Sequence, residues 1–150
     1  MNEVSDLTAH TGYWLRMVSN AVSQEFARKV AAEGVTVAEW TCLRALYDAE
    51  AMTPSALADR IGMSRGAISK LADRLVDKVL ISRDGHADDR RMQTLSLTAA
   101  GRDKVPALAA LADCNDAEYF GVLGDEERAA LGRLLRTLAD RRGLKTVPVD

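Results

Sequence analysis

The segment Thr53–Thr98, TPSALADRIGMSRGAISKLADRLVDKVLISRDGHADDRRMQTLSLT, leaves few folds open. Thr53 caps a short helix with Pro54 at its first position, where a missing N–H costs nothing. Ala56, Leu57 and Ile61 are its inward residues, Gly62-Met63 turns the chain, and Ser64 caps a second helix. On that helix Ile68, Leu71, Ala72, Leu75 and Val79 recur at helical spacing, which assigns them to a core. Leu80–Arg83 and Thr94–Leu97 read as two short strands, with Asp84-Gly85 opening a turn and Asp88–Arg91 making a charged tip. A helix laid across a second helix puts side chains into a major groove, and a basic hairpin beside them reaches a neighbouring minor groove. The expectation is a DNA-binding winged helix.

The flanking sequence is helical. A first helix is predicted from about Asp6 to Ala32, stopping at Gly34. Leu15, Val18, Val22, Phe26 and Val30 lie on one side of it, and Trp14, Met17 and Ala21 widen that face. A helix apolar around so much of its girth is buried on more than one side, and a partner subunit supplies the second burial. Thr36-Val-Ala-Glu39 is a capping-box pattern opening a helix to about Ala49, with Trp40, Leu43 and Tyr47 on one face. Thr98 caps a fifth helix that carries Pro106, so either a kink or an earlier end is expected there. Asp125, Glu126 and Glu127 start a sixth helix with a stripe of Ala130, Leu131, Leu134, Leu135 and Leu138, and Gly143 ends it. The tail LKTVPVD is expected to fray. No internal repeat or linker divides the chain, so residues 1–150 are expected to be one domain, mainly α with a small β-hairpin wing.

Composition narrows the function classes. At 150 residues the chain can bury roughly 68–70% of its unfolded surface without staples. MNEVSDLT is no signal peptide, and no apolar run approaches the ~18 residues of a membrane span, so a cytoplasmic protein is expected. Cys42 and Cys114 stand far apart without a CxxC, which suits a reducing compartment and offers no zinc site. Net charge is −2, yet Arg60–Arg91 holds eight Lys/Arg against five Asp, a local +3. A modest basic patch on an acidic body fits a protein that meets phosphates with one face.

Gly34, Thr36 and Trp40, the helix-turn-helix, Asp89-Arg90-Arg91, and Leu97-Thr98-Ala-Ala-Gly101 follow one another in an order that resembles the MarR family of dimeric winged-helix transcription regulators. The resemblance covers nearly all of Leu7–Asp140 and is densest over Thr53–Gly101. It implies a winged helix-turn-helix over about 36–101, with N- and C-terminal dimerisation helices over about 6–32 and 102–142. Ser64, Arg65, Gly66, Ser69, Lys70 and Arg74 fall on the recognition-helix face that approaches bases and phosphates. Arg90 and Arg91 fall on the wing, where Asp89 would brace an Arg reaching into the minor groove. One departure stands out. The family usually ends the recognition helix with Gly, and this chain has Val79, which resists φ > 0 and predicts a different helix end.

The implied partners are a pseudo-palindromic DNA operator, a second copy of the chain, and a small aromatic or anionic effector. His10, Tyr13, Trp14 and Met17, with Trp40 and Arg44, form the candidate effector pocket: the aromatics offer stacking surface and the cations meet a carboxylate. Taken singly, each of these residues reads better as dimer core. No cofactor or metal is expected, since His86, Asp88 and Asp89 suit a hairpin better than a coordination cage. No nucleophile–base arrangement or phosphate loop supports an enzyme. Two other readings stay open: a winged helix used only for protein contacts, and a redox sensor working through Cys42.

Overall fold

A computed structural model describes residues 3–85 and 93–147. A 3-10 turn at Leu7–Ala9 precedes α1 (Thr11–Ala32), so the first helix begins later than Asp6. There follow α2 (Val37–Tyr47), α3 (Pro54–Ile61), α4 (Arg65–Asp77), β1 (Ile81–Asp84), β2 (Thr94–Leu97), α5 (Ala99–Phe120) and α6 (Asp125–Arg141). This is the expected mainly α winged helix with a two-stranded hairpin.

Side-chain caps set most of the boundaries. Thr53, Ser64 and Thr98 each accept the backbone N–H three residues on, at 3.1, 3.1 and 3.0 Å. Thr36 and Glu39 close a reciprocal capping box, Glu39 N–H to Thr36 Oγ1 at 3.1 Å and Thr36 N–H to Glu39 Oε1 at 2.9 Å. Gly62 ends α3 in the left-handed region at φ 72, which makes the tight turn into α4. At the end of α4 the chain does what Val79 was expected to resist: it takes φ 59 and turns as a glycine would. Val79 is 65% exposed, so it is not the core residue its spacing suggests. The Thr98 hydroxyl donates to the Val79 carbonyl at 2.7 Å, and Thr98 N–H donates to Leu80 O at 3.1 Å. A Cβ on Gly101 would lie 2.0 Å from the same Leu80 carbonyl, so the close seating of α5 on this junction requires a glycine.

The hairpin is antiparallel, with Ile81 opposite Leu97 and Asp84 opposite Thr94. Met52 bridges to Leu95, tying the α2–α3 connection to the hairpin. Helix α5 runs through Pro106 without ending. Pro106 and Arg102, four residues earlier, are both exposed, so the carbonyl deprived of its donor lies on the wet side.

The core belongs to the middle of the chain. Leu43, Leu46, Leu57, Ile68, Leu75, Ile81, Leu95 and Leu108 are fully enclosed. Helix α1 adds only Val30, and α6 buries none of its residues. Helix α1 is held to α5 by polar bonds instead. Lys29 donates to Asn115 Oδ1 at 2.9 Å and Glu118 at 2.7 Å, Asn115 donates to Val22 O at 3.2 Å, and Tyr119 to Ala21 O at 3.1 Å. Trp14, Leu15 and Val18 on α1 and Leu134, Leu135 and Leu138 on α6 stand exposed. Among the described residues no helix is long and apolar enough to cross a membrane.

Candidate nucleic-acid interface

Helix α4 divides into two faces. Ile68, Leu71, Ala72 and Leu75 are buried, and Arg65, Gly66, Ser69, Lys70, Asp73 and Arg74 lie on the exposed side. The i, i+4 spacing of Arg65 with Ser69 and of Gly66 with Lys70 gathers four of the predicted residues into one patch. A Cβ at Gly66 would meet nothing within 4 Å, so the patch is open there. Ser64 stands at its head, its oxygen engaged by the cap and its hydroxyl hydrogen still able to donate outward.

Arg74 departs from this group. Its guanidinium turns back to α2, donating to Thr36 Oγ1 at 3.1 Å and lying 3.3 Å from Glu39. Asp73 is paired with Arg83 of β1 at 2.6 Å, which fastens the hairpin to the helix. Asp89, Arg90 and Arg91, the predicted wing tip, lie outside the described residues.

Glu39 is the residue whose surroundings the sequence gives least hint of. It is a fully buried carboxylate. Burial pushes its carboxyl up, but hydrogen bonds from Lys78 and Thr36 outweigh that and hold it below its usual range. Lys78 is the C-cap of α4 and reaches Glu39 Oε2 at 2.8 Å. The capping-box pattern marked Glu39, but nothing in local spacing ties it to residues 35 and 39 positions on.

The predicted effector residues separate. Trp40 and Arg44 line a polar cleft of about 360 Å³ with Asp48 and Arg60. Arg44 and Arg60 both face Asp48 Oδ2, at 2.8 and 3.7 Å. Trp14 lines a different space, an apolar groove of about 630 Å³ between α1, α5 and α6. His10, Tyr13 and Met17 line neither.

Cys42 is poorly placed for redox chemistry. It is 2% exposed, and burial pushes its thiol up to about 12, so the reactive thiolate is scarce near neutral pH. The Cys114 thiol is exposed but also raised, by its hydrogen bond to Glu118.

Known proteins share this architecture. The MarR family model matches residues 33–92, from the α1–α2 turn to the wing. A protein of Thauera aromatica named as a transcriptional regulatory protein for the hcr operon is 30% identical over 133 residues, spanning 88% of this chain and 80% of the relative. The HTH-type transcriptional repressor MdtR of Bacillus subtilis is 28% identical over 139 residues, 93% of this chain and 90% of its own length. Among solved structures, S. aureus MepR in complex with DNA superposes with a TM-score of 0.75 at 24% identity, over 88% of this chain and 98% of MepR; at that identity the likeness is one of fold. With relatives matching along nearly its whole length and the family model spanning the helix-turn-helix, the chain is a transcription regulator of the MarR family.

Proposed function

We propose that this regulator is a homodimeric repressor that reads DNA with α4, and that a small anionic or aromatic molecule controls it. One observation carries the reading. The outward face of α4 gathers Arg65, Gly66, Ser69 and Lys70 in the open while the opposite face is locked into the core. Arg and Lys neutralise phosphates, and Arg also grips guanine bidentately, worth roughly 1–3 kcal/mol of discrimination. Ser64 and Ser69 supply short hydrogen-bonding groups beside them. The wing cations Arg90 and Arg91, with Asp89 beside them in sequence, are assigned to the flanking minor groove on the family resemblance alone.

Dimerisation is supported by what the single chain leaves uncovered. Leucines 134, 135 and 138 recur on one side of α6, Trp14, Leu15 and Val18 stand out from α1, and among the described residues nothing buries them. A second copy placed about a two-fold axis does so isologously. In this reading the chain is one domain, with α2–β2 reading DNA and α1, α5 and α6 pairing subunits. Two recognition helices then face half-sites about one helical turn (roughly 34–36 Å) apart. Repression is carried over from relatives such as MdtR. The effector site is placed at the Trp40–Arg44 cleft, where an anion would compete with Asp48 for two guanidinium groups. The protein works where its DNA is, in the cytoplasm.

The test is fluorescence anisotropy with labelled duplexes from upstream of the protein's own gene, against a scrambled duplex and over a range of salt. Tight, salt-sensitive binding to the upstream DNA alone is expected. No binding to either duplex at low salt would sink the proposal and favour a winged helix devoted to protein contacts.

A further inference from the structure

A capping box asks its third residue for one oxygen to accept the N-cap N–H, a task Gln performs as well as Glu. Glu39 Oε1 does this for Thr36 at 2.9 Å. The cap therefore explains neither the negative charge nor its complete burial. Two cations converge on that charge. Lys78 Nζ lies 2.8 Å from Oε2 and donates to Oε1 at 3.0 Å, and Arg74 lies 3.3 Å away. Lys78 also donates to Gly34 O at 2.8 Å, and Arg74 to Thr36 Oγ1 at 3.1 Å. All of these contacts run between the start of α2 and the end of the recognition helix, the one through residues 34–39 and the other through 74–78. A buried carboxylate that loses one of its charged partners is left badly compensated, so the three groups stand or fall together.

We propose that Glu39 is a positioning residue for DNA recognition, its buried carboxylate holding Arg74 and Lys78 as struts that fix the angle of α4, so that neither cation serves as a phosphate contact. The inference rests on α4 being the DNA-reading helix and adds which of its cations read and which brace. Arg65 and Lys70 sit on the open patch, whereas Arg74 is drawn to Thr36 and Glu39 and Lys78 to Gly34 and Glu39. Base contacts need side chains held to a fraction of an ångström, while nonspecific phosphate attraction does not, so loosening the struts harms specific binding first.

The experiment uses the full-length protein, a duplex that the wild type enriches from a random-sequence pool, and a scrambled duplex, with affinity measured across salt. Failure to enrich any duplex would remove the DNA-binding reading and this inference with it; every other outcome bears on Glu39 alone. Glu39→Gln keeps the cap and is expected to keep the circular dichroism spectrum. Its affinity for the enriched duplex falls about tenfold while that for the scrambled duplex stays within about twofold. Lys70→Ala lowers the slope of log affinity against log salt by about one, whereas Arg74→Met and Lys78→Met leave it unchanged. Combining Glu39→Gln with Lys78→Met costs less than the sum of the two, because the stranded charge is gone. A slope loss of about one at Arg74 or Lys78, additive losses, or an equal loss on both duplexes would overturn the proposal. Should Glu39→Gln fail to fold, the two slopes at Arg74 and Lys78 still decide it.

Discussion

Val79 turns the chain out of the recognition helix at φ 59, where a β-branched side chain crowds its own backbone. Its neighbours hold it there: Thr98 donates to its carbonyl, and Gly101 lets α5 close on the carbonyl of Leu80. The side chain itself is exposed and contributes little packing in return. Val79→Gly should therefore stabilise the protein by about 1 kcal/mol, the left-handed cost removed less the extra chain entropy of glycine. Thermal denaturation should show a rise of roughly 2–4 °C, and no rise would mean the strain is relieved elsewhere. Glu39 yields a second prediction at this scale. Its carboxyl is held lower in the fold than in the unfolded chain, so the unfolded state binds the proton more readily. The stabilisation is then complete above the ordinary glutamate value of about 4.3 and is lost as pH falls through the lower folded value. Urea titrations at neutral pH and through that acid window should find that Glu39→Gln loses stability at neutral pH but gives a flatter decline in acid than the wild type.

At the scale of elements, the sequence was most legible where the chemistry is local. Thr36, Thr53, Ser64 and Thr98 marked four helix starts because a cap and its N–H lie three residues apart. The strands were displaced by a residue at β1, and α5 passed through Pro106, because boundary and kink depend on what packs alongside. Arg65 and Lys70 lie outward as helical spacing predicted, but spacing could not show that Arg74 is drawn to partners 35 and 38 residues earlier in the chain. Even Val79 was misplaced by periodicity, which carries no account of where a helix stops. The two faces of α4 now separate two kinds of variant. Leu75→Ala removes a fully buried side chain and should cost about 2–5 kcal/mol in urea unfolding. Arg65→Ala should leave stability within about 0.5 kcal/mol while lowering the salt slope of DNA binding by about one. If Arg65→Ala lowers stability by as much as Leu75→Ala is expected to, or Leu75→Ala leaves it unchanged, the assignment of the faces is wrong.

For the whole molecule, the core enclosed by α2–α5 and the hairpin makes a unit that needs little from α1 and nothing from the leucines of α6. A winged helix of this size gains nothing by displaying three leucines on one helix unless another surface covers them. Dimerisation and recognition are then coupled by geometry. On the proposed reading, one copy of α4 would bind a half-site weakly, and two held at a fixed separation would bind a whole site with the benefit of effective concentration. Leu138 is 58% exposed in the single chain, so replacing it with Asp should leave the fold intact and place a charge in the subunit interface. Sedimentation should show the wild type at twice the chain mass of 16.3 kDa and Leu138→Asp shifting toward the single chain. Specific DNA affinity should fall by two orders of magnitude or more, roughly the avidity lost when two linked contacts become one. A Leu138→Asp protein that still sediments as a dimer would show that the α6 leucines are covered by something other than the partner copy, and the separation of the two recognition helices would then have to be set elsewhere.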